Sequence, residues 1–574
     1  MNLTKIRLYN VKRGINYIKR CGIKNFWYKV SEKINDKTEK NYRCMLSTDG
    51  MYQNIMNEDN KFAYEPKISI VVPVFNTPKN FLMDLIESVS NQTYSNWELC
   101  ILDGGSDKDY IRPVLNDYAS KDSRIKIKFL NENKGISGNT NEAISLATGE
   151  YIGLLDHDDI LHANAVFEVV KVINNEKADV IYTDEDKISE DGKERFEPHF
   201  KPDWSPDTLR SYNYICHFFV FKKSLIDKVG LFRKEFDGSQ DYDFILRITE
   251  VASKISHIPK ILYHWRINRN STAYEVGNKE YAVLAGKKAL ESHLERIGLR
   301  GNVNYGEFIG SYKINYDINE KYKVSIIFQN NAFDLKELEN YLKNVIQKAG
   351  YSNYEIIVLN NGYEINNSYE LEKLNVKIIN IKEESYSKVI NYGVERAEGD
   401  FILLISEGID TITNDWLKLM VSYIQNKNTG IVGIKFLYKN RKIKNAGLAL
   451  EKSEVVKNLY ENINRNYYGY MGRLKIVQNL SAISENCVLL KKDLFEEVNG
   501  FDENISSYLA FIDFCLKARR LNKFIVFMPF IEVCDNNPNS YNKIAISDTE
   551  FFINKWGNGL LERDRYFNLQ FIKW

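Results

Sequence analysis

The stretch from Gly149 to Asp159 constrains the fold of this chain more than any other. Its sequence is GEYIGLLDHDD, in which the apolar run Tyr151–Leu155 has the length of one strand and leads directly into acids. An apolar run of this kind indicates a buried strand of an α/β sheet. In such sheets ligands bind beyond the carboxyl ends of the strands, which is where Asp156, Asp158 and Asp159 should lie.

These acids allow two interpretations. Three carboxylates within four residues repel one another unless a cation or water takes up their charge, and a divalent ion held by oxygen ligands is one such partner. Asp is also common at the start of a helix, so the acids could instead form a solvated turn that caps the following helix. Taken alone, the stretch favours the two interpretations about equally.

The residues before this stretch predict a parallel sheet. ISIVVPVFN (Ile68–Asn76) and WELCILD (Trp97–Asp103) are typical of strands, and a helical pattern between them completes a βαβ unit. A third short strand, Ile125–Leu130, precedes a helix that ends at Gly149, so the opening stretch is the fourth strand. The chain has neither GxGxxG after the first strand nor GxxxxGK[ST], which disfavours dinucleotide-binding and P-loop folds.

Length, charge and cysteine content narrow the functional classes. A chain of 574 residues should form roughly three or four domain-sized units. Its 78 Lys and Arg nearly balance 77 Asp and Glu, so the net charge gives no reason to expect nucleic-acid binding.

The seven cysteines lack CxxC spacing, which argues against a disulfide framework or structural zinc and fits a reducing cytoplasm. We expect no membrane-spanning segment and no signal peptide, because no apolar run is long enough.

The first 66 residues predict a surface segment and a connector. Residues 1–30 contain eight Lys or Arg and no acid, with apolar residues at partly helical spacing. This pattern is typical of a basic amphipathic helix on an anionic membrane surface, and a basic helix packed on its own protein is the alternative. Residues 31–66 are polar and mixed, as in a connector.

Acids also follow later apolar segments. VIYTDEDK (Val180–Lys187) predicts a strand that leads into Asp184 and Asp186. In FDGSQDYDFILRITE, Asp241 and Asp243 precede an apolar run and should lie at the amino end of an amphipathic helix.

Aromatic residues near these acids could contact a sugar, because rings stack on the apolar faces of pyranoses. Trp204 lies in a proline-rich loop, for which a purely structural role is the alternative. Trp265 lies in HIPKILYHWR, which predicts a strand ending in His264, Trp265 and Arg266. The predicted sugar or acceptor contacts are Asp184, Asp186, Trp204 and Trp265.

Between Ile68 and about Ala273, seven motifs occur in the order and spacing of one known family. They are SIVVPVFN, WELCILDGGS, NKGISGNTNEAISLATGEYIGLLDHDD, DVIYTDEDK, FKPDWSP, FDGSQDYD and YHWR. Each motif alone is weak evidence for a family, but seven motifs in the family's order and spacing are strong evidence. In these residues the chain closely resembles the family 2 glycosyltransferases with the GT-A fold.

The resemblance implies roles for particular residues. The positions expected to hold the nucleoside and ribose of the donor are Pro73, Phe75, Asn76 and Asp103. Asp156 and Asp158 match the DXD motif that holds the diphosphate directly or through a divalent cation, Mg²⁺ or Mn²⁺, and His264 matches a histidine that joins the metal in several members. Gly104 departs from the family, because many members carry a second Asp there.

The resemblance also implies that Asp241 is the catalytic base of an inverting sugar transfer. Independently of the family, single displacement needs a carboxylate to take the acceptor proton and a cation to neutralise the departing diphosphate. The structural alternatives are a helix cap for Asp241, a hydrogen-bonded strand-end histidine for His264 and a turn former for Asp103.

The pattern restarts at Lys323, at a spacing of roughly 250 to 270 residues. KVSIIFQNN, YEIIVLNNG and INYGVERAEGDFILLISEGID repeat the first three motifs, but Ser406 and Gly408 replace Asp156 and Asp158. Phe511 replaces Asp241, and this half contains no histidine. We therefore predict a degenerate second copy kept for packing, acceptor binding or partner contact.

Together these patterns predict an α/β chain with two tandem GT-A-like domains. The predicted parts are residues 1–66 (basic segment and connector), 67–297 (catalytic domain), 298–322 (bridge), 323–547 (degenerate domain) and 548–574 (helix and tail). We expect transfer of a sugar from a nucleotide-diphosphate donor to a surface glycan or lipid-linked oligosaccharide, in the cytoplasm at the inner face of the cell membrane. A noncatalytic glycan-binding or scaffold protein and a nucleotidyltransferase are the alternatives.

Overall fold

A computed structural model describes residues 41–42, 62–267, 279–361, 365, 368–383, 385–451, 455–536, 546–557, 563–570 and 572. The described residues between 41 and 317, with 566–568, form one compact unit, here called the N-terminal unit. Those between 318 and 565, with 569, 570 and 572, form a second, the C-terminal unit. The predicted basic helix of residues 1–30 lies outside the described residues.

The N-terminal unit alternates strands and helices along the chain. Its strands are β1 (Ile68–Val74), β2 (Trp97–Asp103), β3 (Ile125–Phe129), β4 (Tyr151–Leu154), β5 (Ile160–Leu161), β6 (Val180–Ile188), β7 (Arg195–His199), β8 (Phe219–Lys222), β9 (Ile255–Arg266), β10 (Gly301–Tyr305) and β11 (Tyr312–Tyr316). Its helices are α1 (Lys79–Ser90), α2 (Ile111–Lys121), α3 (Gly135–Ile144), α4 (Ala165–Glu176), α5 (Pro206–Leu209), α6 (Ile226–Val229), α7 (Gln240–Val251) and α8 (Lys279–Arg296).

The main sheet of this unit has the strand order β3-β2-β1-β4-β8-β6-β9-β5, with β7 paired to β6. Strands β1 to β4 are mutually parallel, as predicted, and Ile68 pairs with both Trp97 and Tyr151. Every residue of β1 and β2 is buried, which is the pattern of parallel strands covered on both faces. Strand β8 is antiparallel to β4, so the residues before β8 lie beside the end of β4.

The C-terminal unit repeats this architecture. Its strands are β12 (Val324–Asn330), β13 (Tyr354–Asn360), β14 (Val376–Asn380), β15 (Phe401–Ile405), β16 (Ile409–Thr411), β17 (Thr429–Leu437), β18 (Ile443–Asn445), β19 (Leu448–Glu451), β20 (Val455–Asn458), β21 (Gln478–Asn479), β22 (Cys487–Lys491) and β23 (Phe524–Asp535). Its helices are α9 (Leu335–Gln347), α10 (Tyr369–Lys373), α11 (Tyr386–Glu395), α12 (Trp416–Ile424), α13 (Lys492–Glu497), α14 (Leu509–Arg520) and α15 (Ile546–Trp556).

The second main sheet has the order β14-β13-β12-β15-β22-β17-β23-β16. Strand for strand this is the order of the first sheet, and Val324 pairs with Tyr354 and Phe401 as Ile68 pairs with Trp97 and Tyr151. The internal repeat in the sequence is therefore a repeat of the whole sheet. The predicted α/β fold with two tandem copies is confirmed.

One predicted connection has regular structure. The segment 298–322, expected to be a bridge, contains the antiparallel hairpin β10–β11. Val303, Tyr312, Ile314 and Tyr316 are buried, and in β11 the buried residues alternate with less buried ones, the period of two that is typical of a strand. Within the described residues, no helix is both long enough and apolar enough to cross a bilayer.

Candidate active site of the N-terminal unit

The acids after β4 lie in a loop that β9 holds in place. Arg266 donates from its backbone N to Asp159 Oδ1 (2.7 Å) and from Nε to the carbonyl oxygen of Asp158 (2.8 Å). Tyr263 donates its hydroxyl to Asp159 Oδ2. Asp159 is therefore fully buried and anchors the loop, whereas the side chain of Asp156 is 52% exposed.

Asp156 and Asp159 form a candidate cation site with His217. In the part of the chain that the structure describes, these three residues form the group of His, Cys, Asp or Glu side chains whose ligand atoms lie within 4.8 Å of one another. The Nε2 of His217 lies 3.8 Å from Asp156 Oδ2, and its ring stacks on Tyr263 with centroids 4.7 Å apart.

The electrostatics of this loop fit a divalent cation. Burial raises the pKa of Asp159 well above its ordinary value, and the charges of Asp158 and Asp156 raise it further. Burial also raises the pKa of Asp158, in the same direction as the charge of Asp156. Crowded carboxylates of this kind are stabilised by a hard cation with oxygen ligands, so the residues present suit one.

His264 has a different neighbour. Its Nδ1 lies 2.5 Å from Oδ1 of Asp186, and the other oxygen of Asp186 accepts a hydrogen bond from Arg195 Nε (2.7 Å). Among the described residues, neither His264 nor Asp158 belongs to the group formed by Asp156, Asp159 and His217. Their predicted role as metal ligands stays a prediction.

The acids of β6 are buried and bonded within the protein. Asp184 accepts hydrogen bonds from the backbone N of Lys201 (2.7 Å) and lies 2.9 Å from Nε2 of His257. Asp186 is fully buried between His264, Arg195 and Tyr42. A sugar contact at either acid, as the sequence suggested, would have to displace these protein partners.

Asp241 lies in the first turn of α7, as predicted. Its Oδ2 accepts a hydrogen bond from Asn213 Nδ2 (2.9 Å) and lies 3.9 Å from Cys216 Sγ. Burial raises the pKa of Asp241; the nearby His217 opposes this shift, and Asp156 adds to it. Asp241 therefore shares one electrostatic environment with Asp156 and His217, and its raised pKa suits a general base.

Asp243, two residues further along, has a structural environment. It is fully buried, and its carboxylate forms ion pairs with Arg233 (2.5 Å) and Arg247 (2.8 Å). A buried carboxylate with two bound guanidinium groups is held in place by these charge-assisted hydrogen bonds. Of the two acids that begin α7, the structure thus leaves Asp241 as the one available for chemistry.

The predicted donor-binding residues come together at the carboxyl ends of β1 and β2. Pro73 pairs with Leu102 in the sheet, and Val74 pairs with Asp103. Asp103 accepts a hydrogen bond from the backbone N of Ser106. Their role in binding a nucleoside stays a prediction.

The side chains that follow β1 border the same region. Phe75 is 40% exposed, and Asn76 adopts a positive φ of 53° with its backbone N bonded to Ser106 Oγ (2.8 Å). A β-carbon at Gly104 would lie 2.4 Å from Nδ2 of Asn139, so the larger residue that many relatives carry there would require Asn139 to move.

The two candidate sugar-stacking residues differ in their surroundings. Trp265 is half-buried, with its ring centroid 6.1 Å from that of His217 and 5.7 Å from Nζ of Lys187. It therefore lies beside the candidate cation site. Trp204 lies half-buried in the loop between β7 and α5.

Sequence reasoning missed His217, Asn213 and Cys216. These residues lie in the segment NYICH immediately before β8, and the antiparallel pairing of β8 with β4 brings them to the end of β4. Lys201 fixes this segment by donating from Nζ to the carbonyl oxygens of Ile215 (2.6 Å) and His217. The available signal was a cluster of polar residues directly before an apolar strand.

The C-terminal unit has different residues at the same positions. Tyr151 pairs with Lys222 and Phe401 with Lys491, so Ser406 corresponds to Asp156 and Asn486 to His217. Ser406 donates from its backbone N to the carbonyl oxygen of Asn486 (2.9 Å), and Ser406 Oγ lies 3.2 Å from Asn486 Oδ1. A direct hydrogen bond thus takes the place of the candidate cation ligands.

The residue that corresponds to Asp241 also differs in the C-terminal unit. Asp243 and Asp513 are both fully buried, and each pairs with the cationic side chain four residues later, so they correspond. This places Phe511, fully buried, where the N-terminal unit has Asp241.

Comparison with protein families agrees with the duplicated fold. A model described as "Glycosyl transferase family 2" matches residues 69–231 and 324–498, once in each unit and over more than half of the chain. The chain belongs to glycosyl transferase family 2. The chain carries two copies of the family's domain, of which the N-terminal copy has the acids described above.

Similar proteins include two curated relatives. An uncharacterized protein, y4gI, of Sinorhizobium fredii is 37% identical over 82% of this chain and 53% of its own length. The O-antigen biosynthesis protein RfbC of Myxococcus xanthus is 29% identical over 77% of this chain and 35% of its own length. The chain thus spans about half or less of the length of these relatives.

Among solved structures, S. aureus TarS 1-349 in complex with UDP-GlcNAc aligns with 40% of this chain and 66% of that chain. The sequence identity is 19% and the TM-score is 0.34.

Proposed function

We propose that the N-terminal unit is an inverting, metal-dependent glycosyltransferase that uses a nucleotide-diphosphate sugar. The observation that carries this proposal is the convergence of Asp241, Asp156 and His217, from three separate segments, at the carboxyl ends of β1 and β4. A carboxylate with a raised pKa beside a candidate cation site provides both the base and the anion-binding group that single-displacement sugar transfer requires. Membership of the family supports the same reaction class.

In this proposal Asp241 takes the proton from the acceptor hydroxyl. The acceptor oxygen forms a bond to the anomeric carbon while the bond from that carbon to the diphosphate oxygen breaks, and the configuration inverts. Asn213 holds Oδ2 of Asp241, which fixes the direction of the carboxylate. Burial raises its pKa, so the carboxylate is a stronger base than an exposed Asp.

Asp156 and His217, with Asp159 behind them, are the residues that would hold a divalent cation, Mg²⁺ or Mn²⁺. When bound, the cation supplies positive charge that neutralises the departing diphosphate. Asp156 is the half-exposed member and presents its carboxylate to the donor, whereas Asp159 fixes the loop. The donor's nucleoside would lie against Phe75, Asn76 and Asp103.

Substitution of Asp241 tests the role of the base. We expect Asp241→Asn to lower donor-dependent transfer by about 10²–10⁴-fold, because the amide has no proton-accepting carboxylate. The control is Asp227→Asn, which changes an exposed Asp in α6 and should leave transfer unchanged. Near-full activity of a folded Asp241→Asn protein would show that another group is the base.

We further propose that the acceptor is a surface glycan or lipid-linked oligosaccharide. The name of the M. xanthus relative, an O-antigen biosynthesis protein, supports this acceptor class. In this proposal residues 1–30 hold the enzyme at the inner face of the membrane through their eight basic side chains. A protein lacking residues 1–30 should float less with anionic lipid vesicles at low salt than the full chain, and equal flotation would contradict the membrane contact.

A further inference from the structure

The C-terminal unit has a cavity at the place where the N-terminal unit has its candidate active site. The cavity has a volume of about 200 Å³ and lies at the carboxyl ends of β12 and β15. Its polar lining consists of Gln329, Asn331, Ser406, Glu407, Glu485 and Asn486. The ring of Tyr386 and aliphatic side chains from β12, α11 and β15 complete the wall.

Glu485 is the unusual member of this lining. It lies immediately before Asn486, at the position that Cys216 occupies in the N-terminal unit. Its side chain is buried, and among the described residues its Oε2 has no hydrogen-bond partner. Burial raises the pKa of Glu485 to about 8, so the carboxyl group carries a proton through much of the neutral range.

A buried carboxyl oxygen without a hydrogen-bond partner destabilises the protein. The other carboxyl group of this wall is paired, because Glu407 Oε1 accepts from the backbone N of Asn331 (2.6 Å) and of Ala332 (3.2 Å). An unpartnered group of this kind, at the wall of a cavity, is one that a ligand would satisfy.

We propose that this cavity binds one uncharged sugar residue of a glycan, with the carboxyl group of Glu485 hydrogen-bonded to a sugar hydroxyl. This inference rests on the proposed function, because the glycan that would bind here is the acceptor proposed there.

The chemistry of the lining favours a neutral, hydroxylated ring. The amides of Gln329, Asn331 and Asn486 both donate and accept hydrogen bonds, as the hydroxyl groups of a sugar do. Tyr386 supplies an aromatic ring, which stacks with Phe501 at a centroid distance of 6.0 Å. Rings and aliphatic side chains suit the apolar face of a pyranose.

A nucleoside diphosphate does not suit this cavity. The described lining residues include two carboxyl groups and no Lys, Arg or His, so nothing compensates the charge of a diphosphate. The volume is also below the roughly 300–1,000 Å³ of pockets that hold drug-sized ligands. The cavity therefore differs from a donor site in both charge and size.

Glycoside binding by the full chain tests the proposal. The probes are the methyl glycosides of glucose, galactose and N-acetylglucosamine, measured by saturation-transfer NMR without donor or acceptor. We expect saturable binding of at least one probe. The variant Glu485→Met should weaken that binding by about tenfold, the effect of losing one buried hydrogen bond, while Glu485→Gln, which can still donate, should keep most of it.

A matched control and a folding check accompany this test. Glu497→Gln changes an exposed acid of α13 and should bind the probe like the unaltered protein. A thermal melt checks folding, and Glu485→Met should melt no lower than the unaltered chain because it removes an unpaired buried group.

Two results would overturn the proposal: binding of none of the three probes, or equal binding by Glu485→Met and the unaltered protein. Failure of the proposed catalytic function would instead appear as transfer activity that survives in Asp241→Asn. The two proposals are therefore tested by separate measurements, and either can fail without the other.

Discussion

At the scale of single residues, neighbours decide which acids can do chemistry. Asp241 and Asp243 lie two positions apart in one helix, yet Asp241 has one amide donor and a raised pKa, whereas Asp243 is fixed between two arginines. The motif contains both acids and does not distinguish them. The difference arises from their partners: Asn213, 28 residues away, contacts Asp241, whereas Arg233 and Arg247 hold Asp243.

The same reasoning separates two histidines. We expect His217→Ala to weaken Mn²⁺ binding by about tenfold or more, because His217 lies in the group with Asp156 and Asp159. His264→Ala should weaken it less, since Nδ1 of His264 is bonded to Asp186. Calorimetric titration of the full chain with Mn²⁺ measures both. A larger loss of Mn²⁺ affinity in His264→Ala would contradict this prediction and support His264 as the metal ligand, as the resemblance implies.

At the scale of elements, the central parallel strands of both sheets could be predicted because apolar runs and turn residues carry local information. One hydrogen bond that occurs at the same position in both units explains part of the repeat in the sequence. Gly149 donates its backbone N to Ser69 Oγ (2.9 Å), and Gly399 donates to Ser325 Oγ (2.8 Å). Each glycine begins the turn into the central strand, β4 or β15, where a side chain would meet the first strand of its sheet.

These two glycines allow a matched prediction. A β-carbon at Gly149 would lie 2.5 Å from the carbonyl oxygen of Lys67, and one at Gly399 would lie 2.6 Å from the backbone N of Ser325. Because the obstacles are backbone atoms, we expect Gly149→Ala and Gly399→Ala each to destabilise its unit by about 1–3 kcal/mol. Thermal melting of the full chain measures both. Unchanged melting of both variants would contradict the close contact.

Other parts could not be predicted from local patterns. The NYICH segment has no regular structure of its own, and its place at the site depends on the antiparallel pairing of β8 with β4. The hairpin β10–β11 consists of strands of five residues each, too short for the alternation to stand out from a bridge. In both cases the missing information is which distant segment a strand pairs with.

At the scale of the whole molecule, the two units share a fold but differ in their sites. Burial of strands such as β1 and β12 stabilises each sheet without any acid at its edge. The positions of Asp156 and His217 can therefore become Ser406 and Asn486, joined by a hydrogen bond, while the sheet is kept. The sequence predicted the loss of the acids, whereas the cavity beside Glu485 required the three-dimensional structure.

The central claim is that the N-terminal unit alone carries out sugar transfer, and matched substitutions at equivalent positions test it most directly. Donor-dependent transfer by the full chain is measured for Asp156→Ala and for Ser406→Ala, with folding checked for both. We predict a loss of about 100-fold or more for Asp156→Ala and a change within about twofold for Ser406→Ala. An equal loss in the two variants, or near-full activity of Asp156→Ala, would contradict this account.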